Sequence, residues 1–180
     1  MKEFDENITI PTKRLILRFL KEEDRSAIFR NINHDPEVLK YYVDTYKEKE
    51  EDLSLRRIVE KYRAEKMYFL AIVLKESGEV IGNIFQINRP DKVMNTVEVG
   101  FALGRPYWNQ GYMSEALEAM IRLLFSSGVH KVRACHIEEN VASGEVMKKC
   151  GMHYEGKRID DLYYHGRYWD TLNYYILEDE

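Results

Sequence analysis

This 180-residue chain has little of what marks several protein classes. Its two cysteines, Cys135 and Cys150, are too few for a disulfide scaffold and too far apart for a metal pair; they read as reduced core thiols of a cytoplasmic protein. Ten glycines and four prolines exclude a fibrous or low-complexity chain. The most apolar run, residues 67–74, is eight long, against the ~20 needed to span a bilayer. The opening MKEFDEN has no apolar core and no cleavage site, so no signal peptide and no membrane partner are expected. Basic excess is absent too: 27 Lys and Arg against 31 Asp and Glu give a net charge of −4. That leaves no field to attract polyanions, so no nucleic-acid partner is expected.

What is present is an ordinary globular composition, 44% hydrophobic. At ~150 residues per domain the length predicts a single domain over 1–180. Such a chain buries roughly 70% of its unfolded surface, enough for a proper core. Alternation over 15–20 predicts a first strand, and helical spacing follows over 22–33. His34-Asp35-Pro36 breaks the chain and opens a short helix through Tyr42. Residues 47–66 read as a helix whose dense charge is a solvated face rather than a lure for a cation. Strands over 67–74 and 80–88, joined by a turn at 75–78, and a third over 93–103 form an antiparallel meander. A helix to about Ser127, a strand over 131–137, a helix from Asn140 to Gly151 and two aromatic-rich strands around His165-Gly166 complete an α+β order. Those last strands could pair across two chains, which would give a homodimer.

Three segments carry chemistry. In residues 96–103 alternation puts Val97, Val99, Phe101 and Leu103 on one face and Thr96, Glu98, Gly100 and Ala102 on the other. The second face is nearly bare, suited to something lying flat on the backbone, and its one large group is a carboxylate. The chain then runs through Tyr107-Trp108-Asn109-Gln110-Gly111 into a helix. Unpaired N–H groups at a helix N-terminus make an anion site, and Gly111 lets a phosphate approach; a glycine there also serves as a plain turn. No Gly-Lys-Ser/Thr and no GxGxxG follows. In the third segment Asn140 is a good N-cap and Gly151 a good C′ residue, which a well-capped surface helix also explains. Ser143 lies about one turn inside, near the same end. His130 and His136 share a strand face with no carboxylate at ligand spacing, so no metal site is expected.

The joint order resembles the GNAT superfamily of acyl-CoA N-acyltransferases, in its ribosomal-protein N-terminal acetyltransferase (RimJ/RimL-like) branch. The resemblance runs from Thr12-Lys13-Arg14-Leu15-Ile16-Leu17-Arg18 through Asp35-Pro36-Glu37-Val38, Glu98-Val99-Gly100-Phe101 and residues 108–116 to residues 140–151 and 166–170. It implies a mostly antiparallel mixed sheet with a splayed strand pair, opened by a strand bulge and flanked by helices. It implies acetyl-CoA as cosubstrate and a primary amine as acceptor. The main-chain N–H groups of Gln110, Gly111, Tyr112, Met113 and Ser114 would hold the coenzyme's diphosphate. Phe101, Ala102 and Leu103 would offer main-chain hydrogen bonds to the pantetheine arm, and Asn140 and Ser143 would meet its thiol end. The chain departs from the pattern at Trp108, Asn109 and Met152, and at Met147 it lacks the tyrosine that in many relatives protonates the leaving thiolate. Ser143 becomes the substitute candidate.

An amine attacks a thioester only when neutral. At pH 7 an α-amine of pKa about 8 needs ~1.4 kcal/mol to reach that state, and a lysine-like amine of pKa about 10.4 needs ~4.6 kcal/mol. Glu98 is the candidate base, although the same carboxylate also reads as a solvated strand residue or a partner for a nearby arginine. The acceptor is expected near Tyr41, Tyr42 and Asp44 and the last hairpin with Tyr163, Tyr164, Tyr168 and Trp169; aromatic packing explains most of these without a ligand. A protein N-terminal α-amine, a small amine (polyamine, amino acid, aminoglycoside) and an acetyl-CoA sensor without turnover all remain open readings.

Overall fold

The computed structural model describes residues 4–42, 44, 46–90 and 93–179. Eight strands, β1 (Thr9–Pro11), β2 (Leu15–Phe19), β3 (Phe69–Leu74), β4 (Val80–Gln86), β5 (Thr96–Leu103), β6 (Lys131–Ile137), β7 (His153–Tyr164) and β8 (Arg167–Leu177), form one sheet in the order β1-β2-β3-β4-β5-β6-β8-β7. Every pairing is antiparallel except β5 with β6. This is the expected mostly antiparallel α+β architecture. Leu15 and Leu17 are buried as their alternation requires, and β3, apolar on both faces, is buried almost throughout.

The helices follow the sequence less closely. The helix expected over 22–33 is a 3₁₀ turn (Glu22–Asp24), α1 (Arg25–Ile28) and a π-helical turn (Phe29–Asn33). Side-chain anchors at both ends override a regular helix: Arg18 donates to Asp24 at 2.6 and 2.8 Å, and Asn31 Nδ2 donates to the Val80 carbonyl at 2.8 Å. α2 (Pro36–Leu39) starts at Pro36, with Asp35 accepting from the Glu37 N–H, and stops short of Tyr42. α3 covers only Leu55–Ala64. α4 (Tyr112–Ser126) buries Met113, Ala116, Leu117, Met120, Ile121 and Leu124, a 3.6-period stripe packed across β2, β4, β5 and β6. α5 (Val141–Lys149) lies against α4 and β6.

The site depends on how β5 and β6 part. They pair in parallel at Thr96↔Lys131, Val97↔Val132 and Glu98↔Arg133, and at no residue beyond. From Val99 to Leu103, β5 keeps only its β4 partner, while β6 continues along β8 as far as Ile137. The splayed pair is therefore present, but not through the expected bulge: the β4–β5 register is unbroken from Gln86↔Val99 to Gly82↔Leu103. Past Glu98 each strand keeps its partner on the other side, β6 with β8 and β5 with β4, so both stay anchored in the sheet while the edge between them opens.

Candidate active site

The loop into α4 is bent by two left-handed residues, Asn109 at φ 58° and Gly111 at φ 78°. Gly111 is the N-cap, and its carbonyl accepts from the Glu115 N–H at 3.1 Å. Among the described residues nothing accepts from the main-chain N–H groups of Gln110, Gly111, Tyr112, Met113 or Ser114. Five donors are thus left open at the positive end of a 15-residue helix. They suit a diphosphate, the group in coenzyme A that such a cradle would take.

The loop is held from two sides by residues whose part was not read from the sequence. Trp108 donates its indole N–H to the Leu103 carbonyl at 2.6 Å, fastening the loop to the end of β5. Arg14, at the mouth of β2, donates through Nη1 to the Gln110 carbonyl and through Nε to Glu115, both at 2.8 Å. Thr12 Oγ1 and the Arg14 N–H also donate to Glu115, each at 2.6 Å. Burial would raise the Glu115 carboxyl, but these donors outweigh it and hold it below the usual carboxylate range.

Along β5 the direction of main-chain groups alternates. Glu98 accepts from the Ile87 N–H at 2.8 Å, and the Gly104 N–H donates to Ile81 at 2.8 Å, so residues 98, 100, 102 and 104 turn toward β4. The expectation for Ala102 is accordingly corrected: its N–H and C=O belong to Asn83 across the ladder. Phe101 turns both groups to the splayed edge, and Leu103 offers only its N–H there, since Trp108 holds its carbonyl. The bare face needs a correction as well. A Cβ on Gly100 would lie 2.6 Å from Phe85 Cζ, so what covers that glycine is the tip of the Phe85 ring.

Glu98 sits where β5 and β6 part, half-buried, with its side chain on the face shared by Cys135. The Cys135 thiol donates to Glu98 Oε1 at 3.5 Å. No ion pair engages Glu98 among the described residues; Arg133, its cross-strand neighbour, pairs with Glu155 at 3.1 Å. Burial, reinforced by the Glu98 charge, pushes the Cys135 thiol up to about 12. A thiol so weakly acidic is a poor nucleophile at neutral pH. One strand further along, Asn173 is buried and Thr171 donates to Asp161 at 2.6 Å.

At the far side of the opening, Asn140 takes the N-cap position of α5 without capping it. Its Nδ2 donates instead to Ser143 Oγ at 3.0 Å, and the Ser143 N–H donates to the Asn140 carbonyl at 3.1 Å. Ser143 is only partly buried and keeps its hydroxyl proton for another acceptor. Beneath α5, His136 donates through Nδ1 to the Ile137 carbonyl at 2.8 Å, and a Cβ on Gly144 would meet its Nε2 at 2.8 Å.

The acceptor side is framed by the last hairpin. The Tyr164 hydroxyl lies 2.9, 3.0 and 2.9 Å from the carbonyls of Leu39, Tyr42 and Asp44. Trp169 donates to the Tyr164 carbonyl at 2.8 Å and meets Tyr41 edge-on. Tyr163 and Tyr168 meet edge to face near the solvent-exposed tip. Among the described residues no group of three His, Cys, Asp or Glu side chains could hold a metal ion, and no helix is long and apolar enough to cross a membrane.

The chain is similar to known proteins over most of its length. The uncharacterized N-acetyltransferase YnaD of Bacillus subtilis is 30% identical over 172 residues, covering 95% of this chain and 98% of YnaD. The [ribosomal protein uS5]-alanine N-acetyltransferase of Escherichia coli is 24% identical over 119 residues, 66% of this chain and 61% of that protein. The structure of Mycobacterium smegmatis RimJ in complex with CoA-disulfide superposes with a TM-score of 0.86 at 22% identity, covering 96% of this chain and 88% of RimJ. Residues 14–153, which hold the loop into α4, the splayed edge and the start of the final strands, match the Acetyltransferase (GNAT) domain. The chain belongs to that family and is an acetyl-CoA-dependent N-acetyltransferase.

Proposed function

We propose that this enzyme moves the acetyl group of acetyl-CoA to the N-terminal α-amine of a protein, with Glu98 as the base. The observation that carries the site assignment is the run of unclaimed main-chain groups that ends at a carboxylate. Unclaimed N–H groups at residues 110–114 lead to the open main chain of Phe101 and the Leu103 N–H, and from there to the Glu98 carboxylate, which no cation engages among the described residues. In this reading the loop amides hold the diphosphate, and the Phe101 and Leu103 edge takes the pantetheine arm as an added strand would. The amine nitrogen attacks the thioester carbonyl carbon, its proton passes to Glu98, and the carbon–sulfur bond breaks. Splayed-edge N–H groups stabilise the developing oxyanion. The departing thiolate takes its proton from the Ser143 hydroxyl or from solvent. Transfer is direct, since a Cys135 thiol with a pKa of about 12 would not carry an acyl intermediate.

The acceptor class rests on two supports. A single carboxylate has to supply only ~1.4 kcal/mol to neutralise an α-amine at pH 7, about a third of what a lysine-like amine demands. The relative that acts on the alanine of ribosomal protein uS5 is an α-amine enzyme by its name. One observation favours the second reading, a small amine: Tyr164 ties the hairpin to Leu39, Tyr42 and Asp44, which narrows the acceptor side. The test is thiol release from acetyl-CoA with protein N-terminal peptides set beside polyamines, amino acids and aminoglycosides, products identified by mass. Peptide α-acetylation supports the proposal. Turnover confined to small amines installs the second reading, and saturable coenzyme binding with no release for any amine overturns transfer altogether.

A further inference from the structure

Arg14 lies 96 residues from Gln110 in sequence, yet its guanidinium is built into the loop that opens α4. Nη1 donates to the Gln110 carbonyl and Nε to Glu115. Its carbon sits 4.3 Å above the centre of the Tyr112 ring, and Nη2 lies 3.4 Å from where a Cβ on Gly111 would be. This is a three-sided hold on residues 110–115 by a side chain from the other end of the domain.

We propose that Arg14 is a positioning residue for the coenzyme's diphosphate, acting through the Gln110–Gly111 peptide. The inference rests on the reading that the N–H groups of residues 110–114 hold that diphosphate. The Gln110 carbonyl and the Gly111 N–H belong to one planar trans peptide and point in opposite directions. Drawing the carbonyl toward Arg14 therefore turns the Gly111 N–H away from it, out of the loop. Gly111, at φ 78°, has the conformational freedom to let that peptide rotate, so an outside anchor has something to fix. Arg14 has a second effect through Glu115. A carboxylate in the first turn of α4 would repel a diphosphate, and the Arg14 guanidinium and N–H, with Thr12, neutralise it where it stands. Lysine cannot replace the fork, because one ammonium does not present two fixed in-plane donors to Gln110 and Glu115 together.

Arg14→Gln and Arg14→Lys test this, with coenzyme A binding measured by calorimetry and thiol release followed from acetyl-CoA and from S-acetylpantetheine, a donor without the diphosphate. For both variants the expected result is coenzyme A affinity lower by about tenfold or more, as for loss of a charge-assisted hydrogen bond. The acetyl-CoA KM should rise in parallel with kcat little changed, and kcat/KM for S-acetylpantetheine should hold. Should the glutamine variant fail to fold, the lysine variant carries the measurement. An equal fall with both donors, or none with either, overturns the positioning role. If the unsubstituted enzyme used both donors equally well, the diphosphate assignment of the loop would itself be refuted, and this inference with it.

Discussion

Glu98→Gln separates base catalysis from positioning, and its pH profile also reports the acceptor. The carboxylate has no ion-pair partner among the described residues and one weak thiol donor, Cys135 at 3.5 Å. Glutamine has the same shape and can accept from that thiol, so folding stability should change by less than ~1 kcal/mol. Loss of activity then reports chemistry. Removing a general base typically costs ~10²–10⁴ in rate, whereas holding amine and thioester together supplies ~7–11 kcal/mol that the substitution leaves in place. Activity should therefore fall by about two orders of magnitude at pH 7 and remain measurable. Without a base the variant must wait for neutral amine. For an α-amine of pKa about 8, its rate should climb roughly tenfold between pH 7 and 9 and then level; for a lysine-like amine it should climb roughly a hundredfold with no plateau. Initial thiol-release rates from pH 6 to 10, with acceptor and acetyl-CoA saturating, give both profiles. An unchanged rate at pH 7, or a deficit constant across the whole range, would refute Glu98 as base.

Gly111→Ala forces a Cβ onto a left-handed residue, 3.4 Å from Arg14 Nη2; a stability loss of about 1 kcal/mol, seen as a melting shift of roughly 2–4 °C, should accompany an acetyl-CoA KM raised about tenfold. Cys135→Ala should keep kcat within about threefold, because a thiol held near 12 takes no covalent part; trapping of an acetylated Cys135 by mass spectrometry would contradict direct transfer. His136 is held neutral: burial lowers its pKa, outweighing the Ile137 hydrogen bond that raises it, and Lys148 adds to the lowering. The unfolded chain binds a proton at about pH 6.5 that the folded chain resists, so this stability is full above that pH and drains as pH falls below it. Urea unfolding at pH 7.5, 6.5 and 5.5 should show that slope in the unsubstituted protein and a shallower one in His136→Leu.

Much of the candidate site's framework was legible because its parts are local. Gly111 before an amphipathic run marks a helix start wherever the helix packs, and the alternation over residues 96–103 fixes which residues of β5 share a face. The extent of β6 over Lys131–Ile137 was legible for the same reason, its seven residues alternating on their own. Asn140 shows where such reading fails. It sits at the N-cap position, but Ser143 Oγ, one turn away, wins its amide.

The chain by itself therefore determined the order of elements from β2 onward, though not β1 before it, the helix-opening loop and the carboxylate that stands where β5 and β6 part, since propensity and periodicity act over a few residues. Only the tertiary structure decided that β5 and β6 part after Glu98, that Ala102 is spent on Asn83, and that the Phe85 ring covers Gly100. It also brought Arg14 onto the Gln110 carbonyl and Tyr164 onto three carbonyls across the acceptor side. Each of these joins residues far apart in the chain, and hydrogen-bond geometry selects such partners only when the sheet order has set them within 3 Å.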